Sequence, residues 1–170
     1  AYVGIPAFIV TLGGLTLWRG LAFDSTGGFD MAGLPEPFPT MGYGEFLGIP
    51  MPIIITAVYF LVMAFVLSST KLGRYVYAMG SNEMGARQVG INIRRYKLGV
   101  YVISGLSCAL AALVLMGRMD SSSGKMAQMF ELDAIAAVIL GGTSLFGGGG
   151  SIWGSLLGAI LITMIRNGMN

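Results

Sequence analysis

The sequence predicts an all-α fold, a polytopic transmembrane helical bundle with discontinuous or re-entrant helices in its last third. Three observations carry that expectation. Of 170 residues, 55% are hydrophobic and only 11% are charged, where soluble domains carry about 25% charged residues. The mean hydropathy is +0.77. Long stretches hold no charge at all, and a run of four glycines cuts the longest of them. This composition argues against a water-soluble globular enzyme.

The elements follow from where charge is missing. A spanning helix needs about 20 apolar residues at about 1.5 Å each. Residues 1–18 are uncharged before Arg19, and Pro6 suits a helix start, so 7–18 is expected to be helical, the visible end of a span. The uncharged stretch between Glu45 and Lys71 predicts a span over about 50–68, and that between Lys97 and Arg118 a span over 98–116. The stretch between Asp133 and Arg166 is too long for one span and too short for two. Gly147, Gly148, Gly149 and Gly150 divide it, which predicts a broken pair over 132–146 and 151–166. Irregular backbone at membrane depth survives only where protein or a water-filled cavity surrounds it. Leu12-Gly13-Gly14 and Leu140-Gly141-Gly142 are each expected to close an apolar half-helix, a weak internal symmetry. Tyr59, Phe60, Met63 and Phe65 are expected to face lipid or neighbouring helices. The chain begins and ends inside apolar sequence and reads as an internal piece of a longer protein.

The connectors set the expected orientation. Segment 69–97 holds Lys71, Arg74, Arg87, Arg94, Arg95 and Lys97 against Glu83 alone. Segment 20–49 holds Asp24, Asp30, Glu36 and Glu45 and no basic residue. The excess of Lys and Arg in 69–97 marks it as cytoplasmic, with 20–49 and 117–131 as outer loops. Rich in Gly and Pro, 20–49 reads as a surface loop without helical or strand period, either a solvated connector or a docking surface for an extracytoplasmic partner.

Chemistry-bearing residues are few. Without histidine, imidazole chemistry and His-ligated metal sites are excluded, and no metal site is expected. Cys108 cannot form an internal disulfide and reads as a small buried hydrophobe. The phosphate-binding pattern G-x-x-x-x-G-K-[ST] is absent, since Gly124-Lys125 is followed by Met126, so this chain cannot hydrolyse ATP. The clear spans hold no charge for a proton relay. Residues 80–90 begin with turn chemistry and then offer a short helix. Ser81 or Asn82 can cap it, Glu83 sits in its first turn, and Gly90 ends it. This is either a compact knob for a partner or a basic loop solvated by anionic lipid. Glu131 and Asp133 favour the dipole at the start of a helix, or lie at the outer mouth of a pathway. Thr143 and Ser144 offer hydrogen bonds to a polyhydroxylated solute, or bond back to helix carbonyls. Gly150, Gly154 and Gly158, with Ala159 beside them, form a ridge for close packing, either within one subunit or at a dimer seam.

Three blocks in order resemble one family. They are Ile5-Pro6-Ala7-Phe8-Ile9-Val10-Thr11-Leu12-Gly13 ahead of Arg19-Gly20, then Leu72 through Glu83 running on to Gly90-Ile91-Asn92, and Glu131 through Leu145 followed by the glycine cluster. Together they resemble the C-terminal half, without its final span, of monosaccharide-type (ribose-like) ABC transporter permeases. The resemblance implies a transport subunit that is not an enzyme and holds no cofactor, with ATP and Mg on a partner ABC ATPase subunit. It further implies an extracytoplasmic solute-binding protein, a second permease copy in a dimer, membrane lipid and no nucleic acid as partners. The location it implies is the bacterial inner membrane. By position, Glu83, Ala86, Arg87 and Gly90 are expected to form the helix that couples to the ATPase; Met84-Gly85 stands where an Ala-rich pair is common. A branched-chain amino acid or autoinducer permease, or a non-transporting membrane scaffold, are the alternatives.

Overall fold

The computed structural model describes residues 7–169. Pro6, the expected helix start, and the beginning of the first family-like block lie outside the described residues. Among the described residues, eight α-helices and four two-residue strands follow one another: α1 Ala7–Ser25, β1 Met31–Ala32, α2 Phe38–Tyr43, β2 Glu45–Phe46, β3 Ile49–Pro50, α3 Met51–Ser69, α4 Lys71–Ser81, α5 Glu83–Gln88, α6 Ile93–Met119, β4 Ser121–Ser122, α7 Phe130–Leu140 and α8 Ile152–Gly168. Two of them, α3 and α6, are long and apolar enough to cross a membrane, and α8 is a shorter apolar helix. The chain divides into two compact units: the described part of Ala1–Pro52 with Ala111–Ala127, and the described part of Ile53–Leu110 with Gln128–Asn170.

In the first unit, α1 continues past the expected end at Trp18. Arg19 and Gly20 do not stop it, because nothing there offers the backbone an alternative. It stops where Gly27 and Gly28 take left-handed φ of 59° and 79°, and the Gly28 N–H donates to the Phe23 carbonyl at 2.9 Å. Gly13 and Gly14 lie inside this helix, so the half-helix expected to close there is not formed. With apolar flanks on both sides, intrahelical bonding outweighs the conformational cost of two glycines. The 20–49 connector is also more ordered than expected. β1 pairs antiparallel with β4 from the 117–131 connector, Met31 opposite Ser122. Asp120 locks the junction, its carboxylate accepting from the Leu34 N–H at 3.2 Å and its carbonyl from the Gly33 N–H at 3.1 Å. Gly42 of α2 and Gly117 of α6 meet backbone to backbone with no room for a side chain. β2 and β3 form a hairpin across Leu47-Gly48, both with positive φ, the conformation that two-residue hairpins favour.

In the second unit, α3 gives way at Thr70 to α4. Thr70 caps α4, accepting from the Gly73 N–H, and Gly73 is buried against the Leu67 carbonyl, so the chain folds back sharply. The 69–97 segment is thus largely helical. α4 and α5 pack around Met79, Ala86 and Ile93, with Val76, Ile91 and Tyr96 alongside. Tyr75 and Tyr96 meet edge to face at 4.9 Å. α6 begins five residues before the expected span, its Asn92 side chain accepting from the Arg95 N–H at 3.2 Å. Tyr59 of α3 hydrogen-bonds Ser107 of α6, and Phe60 meets Trp153 of α8 edge to face at 5.1 Å. These two aromatic side chains therefore contact neighbouring helices of this chain, while Phe65 is exposed. Cys108, expected to be buried, is exposed, because α6 has few neighbours within the chain along that face.

α7 and α8 form an antiparallel hairpin. The break between them begins at Gly141, not at the glycine run: α7 ends there, and Gly142 takes a left-handed φ of 80°. The Thr143 N–H donates to the Val138 carbonyl at 3.1 Å, closing the helix in the pattern such glycines permit. In place of the expected segment 132–146 stands an eleven-residue helix that starts two residues earlier, at Phe130, and is followed from Gly141 by a structured turn.

Candidate functional site

Two features of the second unit bring the candidate residues together. The first is the knob made by α5. Asn82, in extended conformation, caps it by accepting from the Gly85 N–H at 2.9 Å. Glu83 in the first turn then favours the helix dipole. At the other end Gly90, with φ of 81°, donates to the Arg87 carbonyl while Ile91 donates to the Ala86 carbonyl, both at 3.1 Å. This paired bonding ends the helix and turns Ile91 inward beside Met79 and Ala86.

Electrostatics fix the knob from outside. Glu83 accepts from Lys97 at 2.6 Å and pairs with Arg87 at 3.5 Å along the helix. The hydrogen bond from Lys97, then its charge and that of Arg87, hold the Glu83 carboxyl below its ordinary value of 4.5. Lys97 lies in the first turns of α6, so Glu83 ties α5 to a spanning-length helix.

The expected coupling residues therefore divide by face. Ala86 is only 5% exposed and packs inward, while Met84 is 77% exposed and Val89 76%. Gly90 shapes the end of the helix. Glu83, Met84, Arg87 and Gln88 line an open groove. Two apolar side chains standing in solvent beside Arg87 and Gln88 make a surface suited to a protein partner. Met84 and Val89 are not among the expected coupling residues; Met84 stands about 200° from the inward Ala86 on a helical wheel, which is the signal that would find it, while Val89 follows the helix and carries no such signal.

The second feature is the α7–α8 hairpin. Gly154 packs against the Gly141 carbonyl and Gly158 against the Ala137 carbonyl, each too close for a side chain. The glycine ridge thus seats against α7 of the same chain. Gly150 does not share in it; it precedes α8 and lies against Thr143. Asp133 in the first turn of α7 pairs with Arg166 in the last turn of α8, and Arg166 lies 5.5 Å from the centre of the Phe130 ring. Glu131 shares that first turn and is exposed. Thr143 does not bond back to a helix carbonyl through its hydroxyl; it lies 3.4 Å from the Ser155 hydroxyl of α8. The Ser144 hydroxyl accepts from the Phe146 N–H at 3.3 Å, within the turn. The turn itself, Gly147 to Gly150, lies against Tyr77, Gly80 and Ser81 of α4 in the basic segment.

Comparison with known proteins places this arrangement. A family model described as "Branched-chain amino acid transport system / permease component" matches residues 1–170. The chain is 42% identical to the ribose import permease protein of Haemophilus influenzae, covering 98% of this chain and 53% of that protein. It is 43% identical to the ribose import permease protein of Bacillus subtilis, over 96% of this chain and 51% of that one. It is 34% identical to the D-allose transport system permease protein of Escherichia coli, over 99% and 52%. The chain thus spans about half the length of these curated relatives. No solved structure matches it. With helices of spanning length, a short capped helix on a basic segment and a match along its whole length, the chain belongs to the branched-chain amino acid transport system permease component family.

Proposed function

We propose that this chain forms the C-terminal half of the membrane-spanning permease of a binding-protein-dependent importer for a monosaccharide, energised by a separate ATPase subunit. The observation that carries the reading is the α5 knob. A capped, doubly braced helix presents Met84, Arg87, Gln88 and Val89 outward on the segment that the charge distribution assigns to the cytoplasm. Such a surface receives an ATPase that holds ATP and Mg, while the ordered outer connectors receive a solute-binding protein. A second permease copy completes the pathway in the inner membrane. Import permeases for ribose and allose among the relatives support a neutral sugar as cargo over a branched-chain amino acid, and an autoinducer permease among them, at 38% identity, makes an autoinducer the second reading. Thr143, Ser144, Glu131 and Asp133 remain candidates for contacts along the pathway or its outer mouth. In the structure Asp133 is engaged with Arg166, Ser144 within its own turn and Thr143 with the Ser155 hydroxyl, while Glu131 is exposed.

The test is reconstitution of the assembled transporter in proteoliposomes with its ATPase and binding protein. Ribose or a related monosaccharide should stimulate ATP hydrolysis and accumulate inside. Glu83→Lys, which sets a third positive charge beside Arg87 and Lys97, should loosen the knob and abolish uptake. Failure of the ATPase to co-purify with the wild-type permease, or stimulation by branched-chain amino acids alone, would refute the reading.

A further inference from the structure

The tail of α4 and the turn between α7 and α8 are far apart in sequence and touch through backbone. A methyl group placed on Gly80 would lie 2.5 Å from the Gly148 nitrogen. One on Gly147 would lie 2.8 Å from the Gly80 carbonyl oxygen, and one on Gly148 would lie 2.7 Å from the Ser81 Cα. Gly147 and Gly148 have φ of 91° and 77°, which bulkier residues rarely adopt. One turn before Ser81, the Tyr77 hydroxyl donates to the Gly150 carbonyl at 3.0 Å.

Each side of this contact is braced. Ser81 ends α4, and the next residue, Asn82, caps α5, so the knob and the seam are joined by a single residue. On the other side the turn is closed by the Ser144 N–H on the Gly149 carbonyl at 2.9 Å. Gly150 leads through Ser151 directly into α8, which is seated on α7 by its glycines. Flexible side chains between two elements would absorb a displacement of one of them. Backbone packed on backbone passes it on, because close-packed groups transmit strain.

We propose that this seam carries the movement of α5 into the α7–α8 hairpin, with Tyr77 as its positioning residue. The proposal rests on the reading of α5 as the ATPase-facing knob and names the route inward from it. Pushing α5 displaces Ser81 and Gly80, these bear on Gly147 and Gly148, and Tyr77 keeps the two segments in register. The hairpin then moves as one body.

The experiment uses the assembled transporter in proteoliposomes and measures ATPase co-purification, ATP hydrolysis and solute uptake separately, with ribose as the probe solute. Tyr77→Phe removes one hydroxyl and keeps the ring. It should lower uptake per ATP hydrolysed by about fivefold, the factor that one ordinary hydrogen bond represents, with co-purification and basal hydrolysis unchanged. Gly80→Ala should lower the ratio further; if that variant does not assemble, Tyr77→Phe alone decides. An unchanged ratio in Tyr77→Phe, or a parallel fall of hydrolysis and uptake, overturns the proposal. Loss of ATPase binding by the wild-type protein would instead strike the reading of α5, so the two failures are distinct.

Discussion

Replacing Gly90 with alanine isolates one physical quantity. A Cβ at this position meets nothing within 4 Å, so no steric clash enters. What changes is the backbone: Gly90 has φ of 81°, and an L-residue held in the left-handed region costs roughly 1–2 kcal/mol. Alanine also narrows the unfolded ensemble, which returns about 0.4–1 kcal/mol. The net cost is on the order of 1 kcal/mol, or about a fivefold rise in local opening. The bond that reports it is Ile91 N–H to the Ala86 carbonyl, which exists only while Gly90 turns the chain. Hydrogen exchange at Ile91, followed by mass spectrometry on the transporter in nanodiscs, should quicken about fivefold in Gly90→Ala. Gly99→Ala is the control, since Gly99 is helical and also open; it should stabilise α6 by roughly 0.5–1 kcal/mol. Unchanged exchange at Ile91 in Gly90→Ala would refute the claim that conformational strain, and not contact, keeps glycine here.

Three further outcomes follow from the same structure. Gly158→Val drives a branched side chain into the Ala137 carbonyl and should destabilise the α7–α8 hairpin by about 1–3 kcal/mol, read as earlier thermal unfolding in detergent. Asn82→Ala removes the cap on Gly85 and should cost about 1 kcal/mol, seen as faster exchange across 83–88 with α6 unaffected. Because its partners lower the Glu83 carboxyl below 4.5, the paired state contributes stability above that value and loses it as pH falls through the lowered one. Exchange protection of 83–88 should therefore persist at pH 5 and decline below 4.5, and Lys97→Met should move the decline upward.

The spans are legible because absence of charge is a local property: α3 falls between Glu45 and Lys71, and the uncharged shaft of α6 between Lys97 and Arg118, though the helix itself takes in the charges at both ends. So is α5, whose cap, first-turn acid and terminal glycine stand in consecutive positions. α4 is not, because Lys71, Gly73, Arg74 and Gly80 interrupt an apolar reading of a helix that buries only Gly73 and Met79. Gly13-Gly14 and Gly141-Gly142 look alike in sequence, yet only the second pair ends a helix. There the chain must reverse to lay α8 on α7, and no neighbouring residue announces that requirement. Pairings such as Tyr77 with Gly150, or Met31 with Ser122, join segments that carry no complementary pattern, so only the folded chain brings them to view.

The length of α6 has a consequence for the surrounding bilayer. Its 27 residues make a rod of about 40 Å, against a hydrocarbon layer of about 30 Å. Arg94, Arg95 and Lys97 mark one end and Arg118 the other, with an uncharged shaft between them. Cations at both ends fix the depth of the rod, because sliding it either way would drag one set toward the lipid tails. A thinner bilayer is then met by tilt, and a thicker one by a more upright helix. The first turns of α6, which hold the knob through Lys97, tilt with it. Lipid chain length thereby becomes a variable that sets how the knob is presented at the membrane surface.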